Sequence, residues 1–474
     1  MAETIKTDIC VIGAGSGGLT VAAGASQMGA DTVLIERDKM GGDCLNYGCV
    51  PSKALIAAGH TAHLMRHGDR FGIASVTPAV DYTRVRDHIR GVIAAIEPND
   101  SVERFTGLGV KVIKGAARFT GPSEVEADGK RIQAKRFVIA TGSTAMIPPI
   151  PGLEQVPYLT NETVFDLDKR PDHLIVIGGG PIGAELAQAH RRLGAEVTIV
   201  EMLDFLGKDD PELTEVVRRQ FAADGVTIKT RTAVTAVEKD GDGIVVVAEK
   251  DGRTERIAGS HLLIAAGRQP NLDGLDLEAA GVAHERNGIT VDARLRTTNK
   301  KIFAIGDVAG PYQFTHMAGY HAGIVIRNAL FKLPAKVNYR AVPWVTFTDP
   351  ELAHVGMTEV QAAEAHPGAI NILRWPFHEN DRAQAERKTE GLIKVVTTKK
   401  GRVLGASIAG PHAGELLMPW IMAVGTKQKI GTMAGLIAPY PTLSEISKRA
   451  AGSYYTPSLF SERTKKIVRF LLKF

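Results

Sequence analysis

Two of the three cysteines in this 474-residue sequence, Cys44 and Cys49, lie in one glycine-rich stretch with four residues between them. The stretch offers no histidine or further cysteine, which disfavours a zinc site. Residues 50–59 predict a helix with Pro51 in its first turn, which places Cys49 at the helix N-terminus. The partial positive charge there, with Lys53 one turn on, lowers a thiol pKa. We therefore predict a redox-active dithiol, whose thiolate donates electrons while the more exposed partner exchanges with substrate.

A glycine-rich turn precedes the dithiol. An apolar strand over residues 7–12 stops at a G-x-G-x-x-G pattern that opens a helix over residues 19–28, and a second strand ends in a carboxylate. Glycines let the backbone approach a pyrophosphate, helix N–H groups bind it, and the carboxylate binds ribose hydroxyls. The residues expected to bind a dinucleotide here are Gly13, Gly15, Gly18 and Glu36.

The same pattern recurs 165 residues later (178 minus 13, and 201 minus 36), which predicts a second nucleotide cofactor. Its residues are Gly178, Gly180, Gly183 and Glu201. The first unit is contiguous with the dithiol and is expected to bind the cofactor that exchanges electrons with it, and the second to bind a nicotinamide cofactor. Glu201 favours NAD(H), because a carboxylate repels a 2′-phosphate and no arginine follows before Arg218.

Length and composition set the broad class. A chain of 474 residues predicts two to four domains. The net charge of +5 is spread along the chain and does not indicate nucleic acid, and three cysteines argue against a secreted disulfide scaffold. Residues 9–30 carry no charge, but their six glycines favour a strand, a turn and a helix over a membrane span. With no basic leader segment before them, the chain is predicted to be cytoplasmic.

The dithiol stretch resembles that of the pyridine nucleotide-disulfide oxidoreductases, such as dihydrolipoyl dehydrogenase, glutathione reductase and mercuric reductase, and the resemblance covers roughly residues 5–457. It implies that Cys44 exchanges with substrate while Cys49 lies against the flavin of FAD. It also implies an ion pair between Lys53 and Glu185 beside the flavin. An ordinary acid in the first turn of its helix is the alternative for Glu185.

The resemblance extends to further cofactor contacts. Asp307, after the apolar strand that begins at residue 302, corresponds to the aspartate that holds the FAD ribityl chain, and Thr315 lies in the segment expected under the flavin ring. The remaining residues that the resemblance assigns to cofactor binding are Gly115, Thr141, Gly142 and Gly267.

The fold class expected is α/β, with two Rossmann-like dinucleotide-binding domains and a C-terminal α+β dimerisation domain. The expected bounds are 1–147 for the FAD-binding domain with the dithiol, 148–273 for the NAD(H)-binding domain, 274–341 for the return to the FAD and central region, and 342–474 for the dimerisation domain with its basic tail. The family forms homodimers, which implies that Tyr440 and Glu445 face Cys44 of the partner subunit.

Tyr440 marks a departure from two members of the family. Dihydrolipoyl dehydrogenase and glutathione reductase carry a histidine there, followed five residues later by a glutamate, here Glu445. A histidine with a pKa of about 6.5 shuttles protons at neutral pH, whereas a tyrosine with a pKa of about 10 is mainly a hydrogen-bond donor. Mercuric reductase has a tyrosine at this place, but it also uses a C-terminal cysteine pair, and this chain has no cysteine after Cys49.

The predicted function is an FAD-dependent NAD(P)H:disulfide oxidoreductase, with NADH preferred, that acts on a thiol, disulfide or thiol-bound metal. One alternative is a dihydrolipoyl dehydrogenase acting on a lipoyl protein, with Glu445 as base through water. A second is a redox-switch or assembly flavoprotein, and a third a quinone reductase that uses the flavin directly.

Two further clusters have both a structural and a functional interpretation. The side chains of His60, His63 and His67 share one helix face. For these histidines a partly exposed helix face is preferred to a metal site, so no metal is predicted.

In the C-terminal tail, residues 463–474 carry five basic residues among apolar ones. Packing on the dimer or exposure to solvent is preferred there to a membrane-surface helix.

Overall fold

The computed structural model describes residues 3–474. The first part of the chain alternates strands and helices. Its strands are β1 (Thr4–Ile12), β2 (Thr32–Glu36), β3 (Val110–Lys114), β4 (Arg118–Gly121), β5 (Glu124–Ala127), β6 (Lys130–Ile139) and β7 (Ser143–Ala145). Its helices are α1 (Ser16–Gln27), α2 (Gly42–Asn46), α3 (Cys49–Arg66), α4 (Tyr82–Ile96) and α5 (Val102–Gly107).

These strands build a mixed sheet. β3, β2, β1 and β6 lie side by side and parallel, and β5 and β4 continue antiparallel from β6. The sheet is apolar on both faces, and α1 and the later helix α8 (Thr315–Ala329) pack on one of them. The uncharged residues 9–30 are divided between β1, the glycine turn and α1, as predicted. Within residues 3–474, no helix combines the length and the apolar character needed to cross a membrane.

The second part repeats this plan. Its strands are β8 (His173–Ile177), β9 (Glu196–Glu201), β10 (Thr227–Thr230), β11 (Ala233–Asp240), β12 (Gly243–Lys250), β13 (Arg253–Gly259), β14 (His261–Ile264) and β15 (Arg268–Pro270). Its helices are α6 (Pro181–Arg192) and α7 (Pro211–Asp224). β10, β9, β8 and β14 form a parallel sheet, and β11 to β13 form an antiparallel one.

The third part returns the chain to the first sheet. It contains β16 (His284–Glu285), β17 (Gly288–Ile289), β18 (Ile302–Ala304) and α8 (Thr315–Ala329). β18 pairs in parallel with the end of β6. A short ribbon of β7 and β15 joins the first two parts. The apolar run that begins at residue 302 gives only a three-residue strand, because Gly306, with φ of +68°, turns the chain into a single 3-10 turn.

The last part is an antiparallel sheet with helices around it. Its strands are β19 (Pro343–Thr346), β20 (Glu351–Gly356), β21 (Ile370–Pro376), β22 (Leu392–Thr398) and β23 (Val403–Gly410), in the order β19-β20-β23-β22-β21. Its helices are α9 (Glu359–Ala365), α10 (Asp381–Ala385), α11 (Ala413–Leu416), α12 (Met418–Gly425), α13 (Ile430–Ala434), α14 (Glu445–Ser453), α15 (Thr456–Leu459) and α16 (Glu462–Leu471).

Candidate active site

The dithiol is built at the junction of two helices. Cys44 lies in α2, and Cys49 is the first residue of α3, as the sequence predicted. The backbone at the start of α2 packs closely against the first glycine loop, because a side chain at Gly42 would lie 2.7 Å from the Cα of Gly15. The backbone of the dithiol segment is therefore held against the expected dinucleotide site.

The two cysteines are free thiols in this structure, and they differ in acidity. The Cys44 thiol donates a hydrogen bond to the Cys49 sulfur, which raises the pKa of Cys44 and lowers that of Cys49 to about 6. The Thr315 hydroxyl, 3.5 Å from the Cys49 sulfur, and the positive charge of Lys53 lower the Cys49 pKa further. Cys49 is thus the thiolate of the pair at neutral pH.

The two thiols also differ in exposure in the single chain. Cys49 is exposed and Cys44 is half-buried. The physical reason is that Cys44 contacts Ser16 at the start of α1, whereas Cys49 lies at the open end of α3. The third cysteine, Cys10, is fully buried in β1, where burial raises its thiol pKa, so it takes no part in this chemistry.

Lys53 and Glu185 meet across the two nucleotide units. The Lys53 Nζ lies 2.7 Å from Glu185 Oε2 and 4.3 Å from the centre of the Phe347 ring. The other Glu185 oxygen accepts a hydrogen bond from the Phe347 backbone N–H at 2.9 Å. Glu185 is only 6% exposed, so it is a buried partner of Lys53 and not a solvated first-turn acid.

The helices that carry this ion pair pack closely. A side chain at Gly59 in α3 would lie 3.1 Å from the carbonyl oxygen of Ala189 in α6. A Cβ atom at this distance would be in tight contact with the neighbouring helix, which glycine avoids. The dithiol helix is therefore fixed against the first helix of the second nucleotide unit.

Both glycine loops have the shape that a pyrophosphate requires. A side chain at the first glycine would overlap a strand-end carbonyl: at Gly13 it would lie 2.4 Å from the Ala140 oxygen, with φ of +103°. At the third glycine, Gly18, it would lie 1.8 Å from the Gly13 oxygen. The middle glycines, Gly15 and Gly180, have no protein atom closer than 4.0 Å to such a position, so their backbones are free to meet a ligand.

The carboxylates at the ends of β2 and β9 are anchored to these loops. Glu36 accepts hydrogen bonds from the N–H groups of Ala14 at 2.6 Å and Asp38 at 2.7 Å. Glu201 accepts them from Gly179 at 2.6 Å and from Leu203 at 2.7 Å. Each carboxylate is therefore held at its strand end, where the dinucleotide fingerprint places the ribose.

The Asp307 carboxylate belongs to a network that the sequence did not predict. Ser143 Oγ donates to Asp307 Oδ2 at 2.6 Å, and Arg268 Nε donates to the same Ser143 oxygen at 2.8 Å. Arg268 also lies 3.2 Å from Asp43, which accepts from Asn161 at 3.0 Å. Burial raises the pKa of Asp307, and within residues 3–474 only its Oδ2 atom is hydrogen-bonded. The other oxygen suits a ligand hydroxyl.

The remaining residues expected to contact cofactors lie at the returning ends of the strands. Thr141 Oγ1 donates to the Asn271 carbonyl, and the Gly142 carbonyl accepts from the Asn271 N–H. The carbonyl of Gly267 accepts from Met146, and the N–H of Gly115 donates to the Glu36 carbonyl. These contacts place all four residues at the edge where the two nucleotide units meet or where β2 ends.

Tyr440 and Glu445 lie apart from the dithiol of their own chain. The Tyr440 hydroxyl donates to Asp381 Oδ2 at 2.8 Å, and this bond raises the pKa of Tyr440. Tyr440 is 70% exposed, and Glu445 is the first residue of α14. Asn380 holds this segment by donating to the Thr442 carbonyl at 3.1 Å.

The histidines of α3 have protein partners. His60 lies 3.3 Å from Asp349 Oδ2, and His63 lies 3.7 Å from Asp224 Oδ1. Burial lowers the pKa of His63 to about 4, which leaves it neutral. Within residues 3–474, no group of three or more histidine, cysteine or acidic side chains is placed to hold a metal ion.

Comparison with known proteins decides the family. The sequence model of the pyridine nucleotide-disulphide oxidoreductases matches residues 7–322, and that of their dimerisation domain matches residues 342–451. The chain belongs to this family.

Curated relatives support the same conclusion. The chain is 37% identical over 447 residues to a mercuric reductase of Bacillus cereus, covering 94% of this chain and 70% of the relative. It is 36% identical over 459 residues to a dihydrolipoyl dehydrogenase of Haloferax volcanii, covering 94% and 95%.

Two solved structures have the same fold. LpdA of Mycobacterium tuberculosis matches with a TM-score of 0.86 and 29% identity, covering 94% of this chain and 99% of that chain. The HOCl-induced flavoprotein disulfide reductase RclA of Escherichia coli matches with a TM-score of 0.84 and 29% identity, with the same coverage. The predicted α/β fold class, with two dinucleotide-binding domains and a dimerisation domain, is confirmed.

Membership makes the chain a flavin-dependent pyridine nucleotide-disulfide oxidoreductase that binds FAD and a nicotinamide dinucleotide. Sequence reasoning missed Asp43, Asn161, Arg268 and Asp381 as neighbours of the site. Two signals were available: Asp43 immediately precedes Cys44, and Arg268 immediately follows the glycine of the second returning strand. The contacts of Asp43 with Arg268 and with Asn161 join residues more than one hundred positions apart, and that of Asp381 with Tyr440 joins residues 59 positions apart, which spacing could not reveal.

Proposed function

We propose that the chain passes electrons between NAD(H), FAD and the Cys44–Cys49 disulfide, and so reduces a thiol-bound metal or a disulfide or, in the reverse direction, oxidises a thiol substrate. The observation that carries this proposal is the unequal pair of thiols. Cys49, with a pKa of about 6, is a thiolate at neutral pH, while Cys44 keeps its proton. An electron-storing thiolate beside an exchanging thiol is the arrangement that dithiol exchange requires.

FAD, when bound, links hydride transfer from the nicotinamide to thiol chemistry. The chain's own residues do the rest. Breaking the Cys44–Cys49 bond with one electron pair leaves Cys49 as a thiolate and, after uptake of one proton, Cys44 as a thiol. Thr315 and Lys53 stabilise the Cys49 thiolate. Glu185 balances the Lys53 charge at 2.7 Å and fixes its position.

Substrate exchange then falls to Cys44. With a disulfide, the Cys44 thiol gives its proton to the departing substrate thiolate as its sulfur attacks, and the Cys49 thiolate then attacks the Cys44 sulfur and displaces the second substrate thiolate. With a metal dithiolate, the Cys44 sulfur displaces one thiolate from the metal in the same way, and formation of the Cys44–Cys49 bond then releases the second thiolate and leaves the electron pair on the metal. Both protein electrons leave in this step, and the protein disulfide is restored. We propose that Tyr440 and Glu445 of the partner subunit border this step in a homodimer, which the matched dimerisation domain supports.

Tyr440 favours a metal thiolate or a small disulfide over dihydrolipoamide. Its hydroxyl donates to Asp381, so at neutral pH it is a hydrogen-bonding group and not a proton shuttle. The relatives called mercuric reductase, 34% to 37% identical, add support for a metal-thiolate substrate. A dihydrolipoyl dehydrogenase remains the second candidate, because relatives with that name are 36% identical and Glu445 is retained as a carboxylate.

One set of rates tests both candidates. NADH oxidation is measured with mercuric ion in excess thiol and with a small aromatic disulfide, and NAD reduction is measured with dihydrolipoamide. We expect turnover with the first two, and a loss of at least about 1,000-fold in Cys44→Ser with Cys10→Ala unchanged. Tyr440→His is expected to raise the slow dihydrolipoamide rate by roughly tenfold or more, by supplying a general base.

Other results would select other functions. Fast dihydrolipoamide turnover by the unmodified protein would make it a dihydrolipoyl dehydrogenase. Activity that survives Cys44→Ser would indicate direct use of the flavin, as in a quinone reductase. A dithiol that is reduced once and then stalls with every acceptor would indicate a redox switch.

We further propose that NADH is preferred and that the cytoplasm is the compartment. Glu201, held by two backbone N–H groups, supports NADH because its carboxylate faces the ribose position. Three cysteines with free thiols are typical of a reducing compartment.

We also propose the domain bounds 1–147, 148–273, 274–341 and 342–474. The pairing of β18 with β6 supports the third of these, because it returns the chain to the sheet of the first domain.

A further inference from the structure

The C-terminal helix α16 exposes both of its faces. No residue of α16 is buried. Its apolar side chains recur at helical spacing, at Ile467, Phe470 and Leu471, which are 49%, 60% and 60% exposed. The ring of Phe474 packs on that of Phe470 with centroids 5.4 Å apart and extends the same apolar side. This strip of side chains has no protein cover within residues 3–474.

The opposite side of α16 is strongly basic. Residues 462–474 contain five lysine or arginine residues and one acid. Lys465 pairs with Glu462 at 2.8 Å. In the part of the chain that the structure describes, the other four basic side chains have no carboxylate within salt-bridge distance. Of these four, Lys466, Arg469 and Lys473 lie on the side opposite the apolar strip, whereas Arg463 precedes Ile467 by one turn on the apolar side.

We propose that α16 docks the protein onto an anionic phospholipid surface. A helix with lysine and arginine on one side and phenylalanine and leucine on the other lies in the plane of such an interface. The apolar strip enters the acyl boundary, and the unpaired basic residues meet phosphate headgroups. One lipid surface thereby buries the apolar side of the helix and neutralises the charge of its basic side.

Two other occupants fit less well. Nucleic acid would pair with the basic side but leave the apolar strip in water. A second copy of the chain would cover the strip but offers no excess of carboxylates for the basic side. The matched dimerisation domain also ends at residue 451, before α16 begins. The lipid interface is therefore the occupant that the charge and the exposed apolar area favour.

Vesicle sedimentation of the full-length, FAD-loaded protein tests this docking. The probes are phosphatidylcholine vesicles with and without phosphatidylglycerol, at low and high salt. We expect binding only to the anionic vesicles and weaker binding at high salt. The triple change Lys466→Gln, Arg469→Gln and Lys473→Gln should lower the partition coefficient by on the order of 100-fold. Phe470→Ser with Leu471→Ser should lower it by a comparable factor.

A matched control removes basic charge elsewhere. Lys239, Lys250 and Arg253 are exposed and lie on the β11 to β13 sheet, and their combined change to glutamine should leave binding unchanged. The proposal is overturned if the unmodified protein does not bind anionic vesicles at low salt, or if either α16 variant binds as tightly as the unmodified protein. Conversion of a dimer to a monomer by the Phe470 and Leu471 changes would also overturn it, since a second copy would then be the occupant.

Discussion

The two glycine loops follow one backbone plan. The first glycine has φ of +103° in Gly13 and +115° in Gly178, and its N–H donates to the carbonyl of the neighbouring strand at 2.8 Å and 2.9 Å. A side chain at the third glycine would lie 1.8 Å or 2.0 Å from the first glycine's oxygen, in Gly18 and Gly183 respectively. These hydrogen-bond and close-approach distances agree between the two loops to within a few tenths of an ångström.

The surroundings of the two loops differ. Gly42 of the dithiol segment is seated on the first loop, and Glu36 is only 8% exposed. At the second loop, no protein atom lies within 4 Å of the place where a side chain of Gly180 would stand, and Glu201 is half-buried. The same backbone therefore serves an enclosed site and an open one. We attribute the enclosed site to a resident FAD and the open one to a coenzyme that must leave after each turnover.

The largest effect is expected when a methyl group is placed at the third glycine of each loop. Gly18→Ala and Gly183→Ala would both force a backbone shift and should lower the free energy of unfolding by about 3 kcal/mol. We expect Gly18→Ala to lose FAD and Gly183→Ala to retain FAD but raise the KM for NADH. Thermal unfolding and the FAD absorbance of the purified variants measure this.

Gly91→Ala is the control for both variants, because nothing lies within 4 Å of its Cβ position in the exposed part of α4. It should be neutral or slightly stabilising. Equal loss of FAD from Gly18→Ala and Gly183→Ala would contradict the assignment of the two loops to different cofactors.

A smaller effect is expected from the two carboxylates. Glu36→Gln and Glu201→Gln each weaken hydrogen bonds to a charged group, by about 1.5 kcal/mol or roughly tenfold. In Glu201→Gln this should appear directly as a lower kcat/KM for NADH and a smaller preference over NADPH. In Glu36→Gln it should appear only as faster FAD loss on dilution. An unchanged ratio of NADH to NADPH rates in Glu201→Gln would argue against our assignment of coenzyme preference.

The smallest effect concerns the dithiol that connects the two units. Because its native pKa is depressed to about 6, Cys49 should react with iodoacetamide with a midpoint at about that pH, and its rate should rise with pH as the thiolate forms. Lys53→Met removes the nearby positive charge and should move the midpoint upward by less than about one unit, since the Cys44 hydrogen bond is the larger cause. The alkylation rate of the reduced protein against pH measures both.

Lys130 provides the matched lysine control for this measurement. It is the first residue of β6, and its ammonium group is paired with Asp128 at 2.7 Å. Lys130→Met removes the same charge from a site outside the dithiol and should leave the alkylation midpoint unchanged. A midpoint of about pH 8.5 in the unmodified protein would show that Cys49 is an ordinary thiol.

Much of the fold could be predicted from spacing. Glycine turns after apolar strands predicted both nucleotide units, because only glycine tolerates the close approach of Gly13 to Ala140. The helix ends were less accurate. α1 was predicted to begin at residue 19 but begins at Ser16, because the third glycine of the pattern, Gly18, lies inside the helix.

The site could be predicted only where its residues lie close together in the sequence. The acidity of Cys49 was predicted from its helix end and Lys53, yet the hydrogen bond from Cys44 is the larger cause. That bond depends on the turn between α2 and α3, which spacing does not specify. The pairing of Arg268 with Asp43, and of Tyr440 with Asp381, depends on tertiary packing and had no local signal.

The close approach of Gly59 to Ala189 has a kinetic consequence. With α3 packed closely on α6 and Lys53 paired to a buried Glu185, the dithiol helix is held directly against the coenzyme-binding unit. Electrons can then pass between them without a swing of one domain relative to the other.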